Sequence, residues 1–275
     1  MMIGGDDGIM MTNDDCTNCK RCAVKMGYWS DDYIDLFTRG SPRIERKTPE
    51  INRGYFVRVF AVHQVIEQFL DHVNRAGQQC QIVDLGCGFD TLFWRLHGGK
   101  NFKCIRSFVD LDLSGTTSRK VMHIRHKNSS IPTLFLSECV LIYMDVKDSN
   151  NILSWISSHF NHTVFINYEQ VEIFDRFGQI MVENLRQRAC ELLDLESCRS
   201  LDTQKSRFMN SGWENVKAWD MHHIYRYKVP EEEIRRVEKI EFFDEANLLE
   251  QLLKHYCLVV ASKGLPDLRI GFCED

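Results

Sequence analysis

The chain has 275 residues, 44% of them hydrophobic and 27% charged, with a formal net charge of −5. This length and apolar content fit one α/β domain with additions and are enough to fill a core. The modest charge gives no bulk attraction to nucleic acid, and no apolar run approaches the roughly 18 residues of a membrane span. Neither nucleic acid nor membrane is therefore an expected partner.

The N-terminus is acidic and polar, with Gly4-Gly-Asp-Asp-Gly8 and Asn13-Asp-Asp15. It does not read as a signal peptide, and residues 1–18 are predicted to be a mobile arm. Eleven cysteines without a secretory signal read as reduced thiols of a cytoplasmic protein. Cys16, Cys19 and Cys22 invite a metal reading, but a tetrahedral site needs a fourth ligand and no partner CxxC or HxxxH occurs. No metal is expected, and the three read as free cysteines ahead of a helix.

Residues 20–25 predict a short helix, ended by Gly27, and residues 31–38 a further turn or two. Residues 40–49, with their glycine, prolines and basic residues, predict a loop. From Ile51 to Asn74, Phe56, Val59, Val62, Val65, Ile66, Phe69 and Val73 recur at helical spacing, which predicts a long amphipathic helix. Ile82, Val83 and Leu85 then form a strand running into a turn with Gly86 and Gly88. Glycine has no Cβ and tolerates positive φ, so the backbone there can lie against a ligand. A second strand, Ser107 to Asp112, ends in carboxylates. A glycine turn after one strand and an acid closing the next is how open α/β sheets hold a nucleoside. Asp84-x-Gly86-x-Gly88 lacks the third glycine of the dinucleotide fingerprint and looks more like the first motif of S-adenosylmethionine (SAM) methyltransferases. A nicotinamide-dependent oxidoreductase stays as a less favoured alternative.

Thr91–Leu96 predicts a helix cut short by Gly98 and Gly99. Thr133–Tyr143 is nearly all apolar and holds one acid, Glu138, as suits a strand buried on both faces of a parallel sheet. A helix over 152–159, a strand over 163–167 and a polar helix over 177–195 follow. Strands over 216–219 and 256–261 come last, with helices over 231–239 and 244–254 between them. This alternation predicts a doubly wound α/β sheet with N-terminal helical additions.

Several segments share one resemblance. Lys47-Thr-Pro-Glu-Ile-Asn-Arg-Gly-Tyr55, Gln81-Ile-Val-Asp-Leu-Gly86 with Asp90-Thr91, Phe93-Trp-Arg95, Ser137-Glu-Cys-Val140 with Tyr143, Phe165-Ile-Asn-Tyr-Glu-Gln170, Asp175-Arg-Phe-Gly-Gln179 and His255-Tyr-Cys257 resemble the leucine carboxyl methyltransferases. The resemblance runs from about Cys19 to Gly264. It implies a Rossmann-like SAM-methyltransferase domain over 19–264, followed by a C-terminal tail over 265–275. It implies an enzyme that esterifies the C-terminal leucine of type 2A protein phosphatase catalytic subunits, working as a monomer on that subunit's tail. It also implies that SAM is met by Lys20, Arg58, Gly86, Asp112 and Glu138.

Each of those residues has a physical role. Lys20 and Arg58 can pair with a carboxylate, either SAM's own or the substrate's. Gly86 lets the backbone approach the methionine moiety. Asp112 can accept from ribose hydroxyls, with Asp110 a competitor for that role. Glu138 would lie near the sulfonium or amino group; the plainer reading is a buried acid paired with an arginine. Tyr143 is either core packing or a shaper of the transfer site. Arg58, Tyr143 and Asn167 are candidates for orienting the acceptor carboxylate, which needs no general base.

One departure stands out. Only nineteen residues separate Asp112 from Pro132, where the family carries a third strand and an acidic turn against the adenine. The third-strand region is therefore expected to be missing, leaving the second strand as an edge. The shortening keeps open a second reading, a homologue that binds the phosphatase tail without turnover.

Overall fold

Gln81-Ile-Val-Asp84 alternates its side chains between two covered faces, and in the computed structural model it forms the centre of β1 (Cys80–Leu85), buried almost throughout. The structure describes residues 5–37, 45–112 and 131–272. β1 pairs in parallel with β2 (Ile105–Leu111) on one side and with β3 (Thr133–Glu138) on the other. β3 pairs in parallel with β4 (Thr163–Gln170), and β6 (Tyr256–Lys263) runs antiparallel between β4 and β5 (Asn215–Asp220). The order β2-β1-β3-β4-β6-β5 reverses direction at β1. Such a reversal opens a crevice at the carboxyl ends of the strands.

The period of two along each strand divides the core. Ile82, Leu134, Leu136, Val164, Ile166, Leu258 and Val260 face one side. There they meet the long helix α3 (Pro49–Arg75), whose Val62, Val65, Ile66, Phe69 and Val73 are the residues that recur at helical spacing. Val83, Phe135, Phe165, Val259 and Ala261 face the other side. Against them lie α5 (Val146–His159) and α7 (Leu201–Asn210). The remaining helices are α2 (Ile34–Phe37), α4 (Leu92–His97), α6 (Arg176–Gln187), α8 (Met221–Tyr227), α9 (Glu231–Glu238) and α10 (Ala246–Lys254).

The structure corrects the expected arm over residues 1–18. Gly5–Met26 is one helix, α1, continuous with the segment predicted to be helical. It packs on α3, with Ala23 in the apolar cluster that holds Phe56 and Val57, and Gly8 lies against the Ala189 backbone, where a Cβ would meet the carbonyl oxygen at 2.2 Å. Tertiary contact, not local apolar content, holds this stretch. Residues 265–272 are likewise more than a tail. Leu265, Ile270 and Phe272 are buried, Phe272 packs edge-on to Trp219, and the Gly271 amide donates to Gln68 Oε1 at 2.8 Å.

The apolar run from Thr133 does not stay extended as far as Tyr143. β3 ends at Glu138, Cys139 takes the left-handed region with φ +57°, and Leu141–Tyr143 form a 3-10 turn. The Cys139 amide donates to the Tyr168 carbonyl at 2.7 Å and pins this kink. The expected loss of the third strand falls on residues outside the described ones. Among the described residues, β2 is the outer strand on its side.

β4 buries an acid on the face away from α3. Glu169 is fully buried and accepts from the Ile142 and Gln170 amides, each at 3.2 Å. Burial pushes its carboxyl up to about 7, against the partial pull of Arg207. The folded state therefore keeps a proton between about pH 4.5 and 7 that the unfolded chain releases, so the stability this group contributes at low pH is lost as pH rises through about 7. The expected loss is on the order of 3 kcal/mol. Glu169→Gln should remove that slope. Urea unfolding at pH 5 and pH 8 tests it: the wild type should lose 2–3 kcal/mol, roughly, relative to the variant. Equal losses in the two proteins would refute the assignment.

Candidate active site

At the carboxyl ends of β1, β2, β3 and β4 lies a cavity of about 1290 Å³. Of the seven residues singled out from the sequence, six line it: Lys20, Arg58, Gly86, Asp112, Glu138 and Tyr143. They come from α1, α3, the turn after β1, the end of β2, the end of β3 and the 3-10 turn. Only the sheet brings these distant segments together.

The turn after β1 has the geometry that its glycines imply. Gly86 has φ +62° and Gly88 φ +49°. A Cβ on Gly86 would stand 2.4 Å from Val140 Cγ2, and one on Gly88 would stand 2.1 Å from Asn13 Oδ1. The Gly88 amide donates to Asp112 Oδ2 at 2.6 Å, so the acid that closes β2 also holds the turn. Asp110 is paired in register with Asp84 one step back along the sheet and does not line the cavity.

Two buried ion pairs stand in the cavity. Arg58 Nε meets Glu138 Oε2 at 2.5 Å, and Lys20 Nζ meets Asp90 Oδ2 at 2.5 Å. The plainer reading of Glu138, an acid paired with an arginine, is thus present in this structure. Burial is the largest single influence and would lower the Lys20 and Arg58 pKa values, but the negative groups around each together outweigh it, led by Asp90 for Lys20 and Glu138 for Arg58, and both are raised. Burial alone would raise Asp90 and Glu138. The attraction of Lys20 and Arg95 holds Asp90 well below the usual carboxylate range, and that of Arg58 and Lys20 lowers Glu138. All four groups are therefore charged at neutral pH, and the site keeps its cations without a net positive excess.

Arg58 is further held by aromatic faces. Its guanidinium lies 4.6 Å from the centre of the Tyr168 ring and 5.7 Å from that of Tyr55. Tyr168 stacks on Tyr256 with centroids 5.3 Å apart. Burial pushes Tyr143 and Tyr168 well up, so both stay neutral phenols. Sequence reasoning missed Tyr168, Tyr256 and Asp90 as parts of the site. All three stand inside the quoted segments, so their positions were available, but nothing local marks them as the platform and counter-ion of two cations.

Asn167 is not at the cavity. Alternation along β4 turns it to the face opposite Tyr168, beside Ser137, fully buried. Its amide has no hydrogen-bond partner among the described residues. The sequence could name the strand but not which neighbour faced the crevice. Cys16 and Cys19 line the cavity, and burial pushes Cys19 up to about 11, so it is a thiol and not a thiolate. Among the described residues no group of three or more histidines, cysteines or acids is placed to hold a metal ion. No helix among them is long and apolar enough to cross a membrane.

A sequence profile described as leucine carboxyl methyltransferase matches residues 10–127. Leucine carboxyl methyltransferase 1 of Bos taurus is 39% identical over 313 aligned positions, covering 96% of this chain and 92% of that one. The chain belongs to the leucine carboxyl methyltransferase family. Leucine carboxyl methyltransferase 1 of Rattus norvegicus is 40% identical, again over 96% of this chain and 92% of that one. A solved geranyl diphosphate methyltransferase in complex with GPP and sinefungin aligns with a TM-score of 0.47 at 12% identity, over 93% of this chain and 99% of that chain. Members of the family are SAM-dependent methyltransferases. The bovine alignment is longer than this 275-residue chain, so the relative carries residues that have no counterpart here.

Proposed function

We propose that this protein methylates the C-terminal leucine carboxylate of the type 2A protein phosphatase catalytic subunit, with SAM as donor. The observation that carries the reading is the convergence in one cavity of a glycine turn, an acid after the second strand, and two buried cations each paired with an acid. The glycine turn and Asp112 suit the nucleoside and its amino-acid moiety. Lys20 and Arg58 suit carboxylates, one on the cofactor and one on the peptide.

The chemistry asks little of the protein. A terminal carboxyl has a pKa of about 3.5 and is ionised at pH 7, and the sulfonium already activates the methyl group. The carboxylate oxygen attacks the methyl carbon as the carbon–sulfur bond breaks, and the bonding pair leaves on sulfur. Alignment of oxygen, carbon and sulfur supplies the acceleration. A cation fully committed to the acceptor would lower its nucleophilicity. Arg58, shared with Glu138 and set between aromatic faces, positions a carboxylate without neutralising it. Tyr143, a neutral phenol on the cavity wall, shapes the transfer site. We place the reaction in the cytoplasm with the enzyme as a monomer, on the strength of its free thiols and the intracellular acceptor.

Purified phosphatase incubated with tritium-labelled SAM and this protein should become labelled, and the same phosphatase lacking its tail should not. Equal labelling of the two would overturn the assignment of the acceptor. A second reading rests on the missing residues: the chain binds the tail but turns over poorly or not at all. Calorimetry separates them, since a tail binder without turnover shows heat with the tail peptide and none with SAM.

Asp112→Ala should weaken SAM binding by about a hundredfold or more, because two charge-assisted hydrogen bonds to a ribose are worth roughly 1.5–3 kcal/mol each. Asp110→Ala should change affinity little. A larger loss for the Asp110 variant in the same titration would reverse the assignment.

A further inference from the structure

A second cavity, of about 550 Å³, lies apart from the first, between the N-terminal half of α3 and the segment from α8 to α10. Its floor holds Arg53, which is 5% exposed, and Tyr225, which is 3% exposed. Arg53 belongs to the Lys47–Tyr55 segment, yet it takes no part in the methyl-transfer site. It donates to the Glu241 carbonyl at 3.3 Å, lies against the face of Phe243, 5.0 Å from its guanidinium, and stands beside the hydroxyls of Tyr28 and Tyr225. No carboxylate of the described residues forms an ion pair with it. Arg53 Nε is buried without a hydrogen-bond partner among the described residues, and the buried Tyr225 hydroxyl has none beyond the neighbouring Arg53 guanidinium. A guanidinium taken out of water is costly unless a counter-charge meets it. Buried donors left unmade cost more again.

The walls fit a missing anion. Arg226 and His222 line the cavity together with two acids, Glu238 and Glu250. Glu250 is committed to Lys254 at 2.6 Å. Arg53 and Arg226 thus face one uncommitted acid, Glu238. The rim is aromatic and open, with Phe242 86% exposed and Tyr227 66% exposed.

We propose that this cavity is an oxyanion site, separate from the methyl-transfer site, in which Arg53 and Tyr225 hold a carboxylate or phosphate group and Arg226 guards the entrance. The group arrives either as a free ion or on an acidic side chain of a peptide whose apolar neighbours rest on Phe242 and Tyr227. This inference does not depend on the identity of the methyl acceptor.

The test is equilibrium dialysis of the full chain against labelled inorganic phosphate. A parallel arm uses an acetylated, amidated peptide carrying one aspartate between leucines. Tyr225→Phe keeps the ring and removes the hydroxyl; it should weaken phosphate binding about tenfold. Arg226→Glu, at the rim where folding is not at stake, should weaken it by at least as much. Arg188→Glu, at the first cavity, should leave it within about twofold. Circular dichroism confirms that each variant is folded. Tighter binding of the peptide than of phosphate identifies a protein-borne group, and the reverse a free ion; both support the site. No binding of either probe to the wild type, or binding that Tyr225→Phe and Arg226→Glu leave unchanged, would overturn it.

Discussion

Gly86→Val is expected to abolish SAM binding and to destabilise the protein. Gly86 sits at φ +62°, where a residue with a Cβ is strained by roughly 1–2 kcal/mol and a β-branched one by more. The new Cβ would also stand 2.4 Å from Val140 Cγ2. Val140 cannot retreat cheaply, because the preceding Cys139 is itself left-handed and its amide is tied to the Tyr168 carbonyl at 2.7 Å. We expect a stability loss of about 3 kcal/mol or more, combining the backbone strain with the overpacking. The two effects can be separated. In a Val140→Ala background, Gly86→Ala meets less of the clash and should fold, yet its methyl group still fills the space where the cofactor meets the backbone. A double variant that binds SAM as tightly as the wild type would show that this turn is not the cofactor loop.

Replacing residues 113–131 with a crossover of the length found in relatives should tighten SAM binding by two to three orders of magnitude. Leu85, Leu111, Met144 and Ile152 line the cavity and are each half-buried, so part of an apolar wall is present. A longer crossover would add roughly 100 Å² of apolar contact, about 2.5 kcal/mol at 25 cal/mol per Å². A hydrogen bond to the adenine edge adds roughly 1 kcal/mol. The same insertion should raise the thermal midpoint, because it would cover β2, the outer strand among the described residues. SAM affinities and melting curves of the two proteins, measured side by side, decide the matter. Equal affinities would mean that residues 113–131 complete the adenine wall as they stand.

Much of the fold was legible where periodicity was strong. The apolar spacing from Phe56 to Val73 marked α3, and the glycines after Leu85 marked the turn that lines the cavity. Short polar elements were less legible. Leu201–Asn210 and Met221–Tyr227 are helices that local composition did not announce, since their order comes from packing of Phe208 and of Ile224 and Tyr225 against the sheet. The first eighteen residues read as an arm because their apolar content is low. They are helical from Gly5 because α3 and the Ala189 backbone give that helix a surface.

Local pattern by itself determined the strand–turn–acid unit of Gly86, Gly88 and Asp112, because backbone conformation at a glycine and charge at a strand end are properties of a few adjacent residues. The candidate cations Lys20 and Arg58 and the acid Glu138 came instead from the family resemblance, as residue types. Only the tertiary structure decided their partners. Lys20 meets Asp90 and Arg58 meets Glu138 across separations of 70 and 80 residues, and nothing in a one-dimensional pattern encodes such distances. The same holds for Asn167, turned from the cavity by the pleat of β4, and for Arg53, whose missing counter-charge is visible only once every neighbour around it is in place.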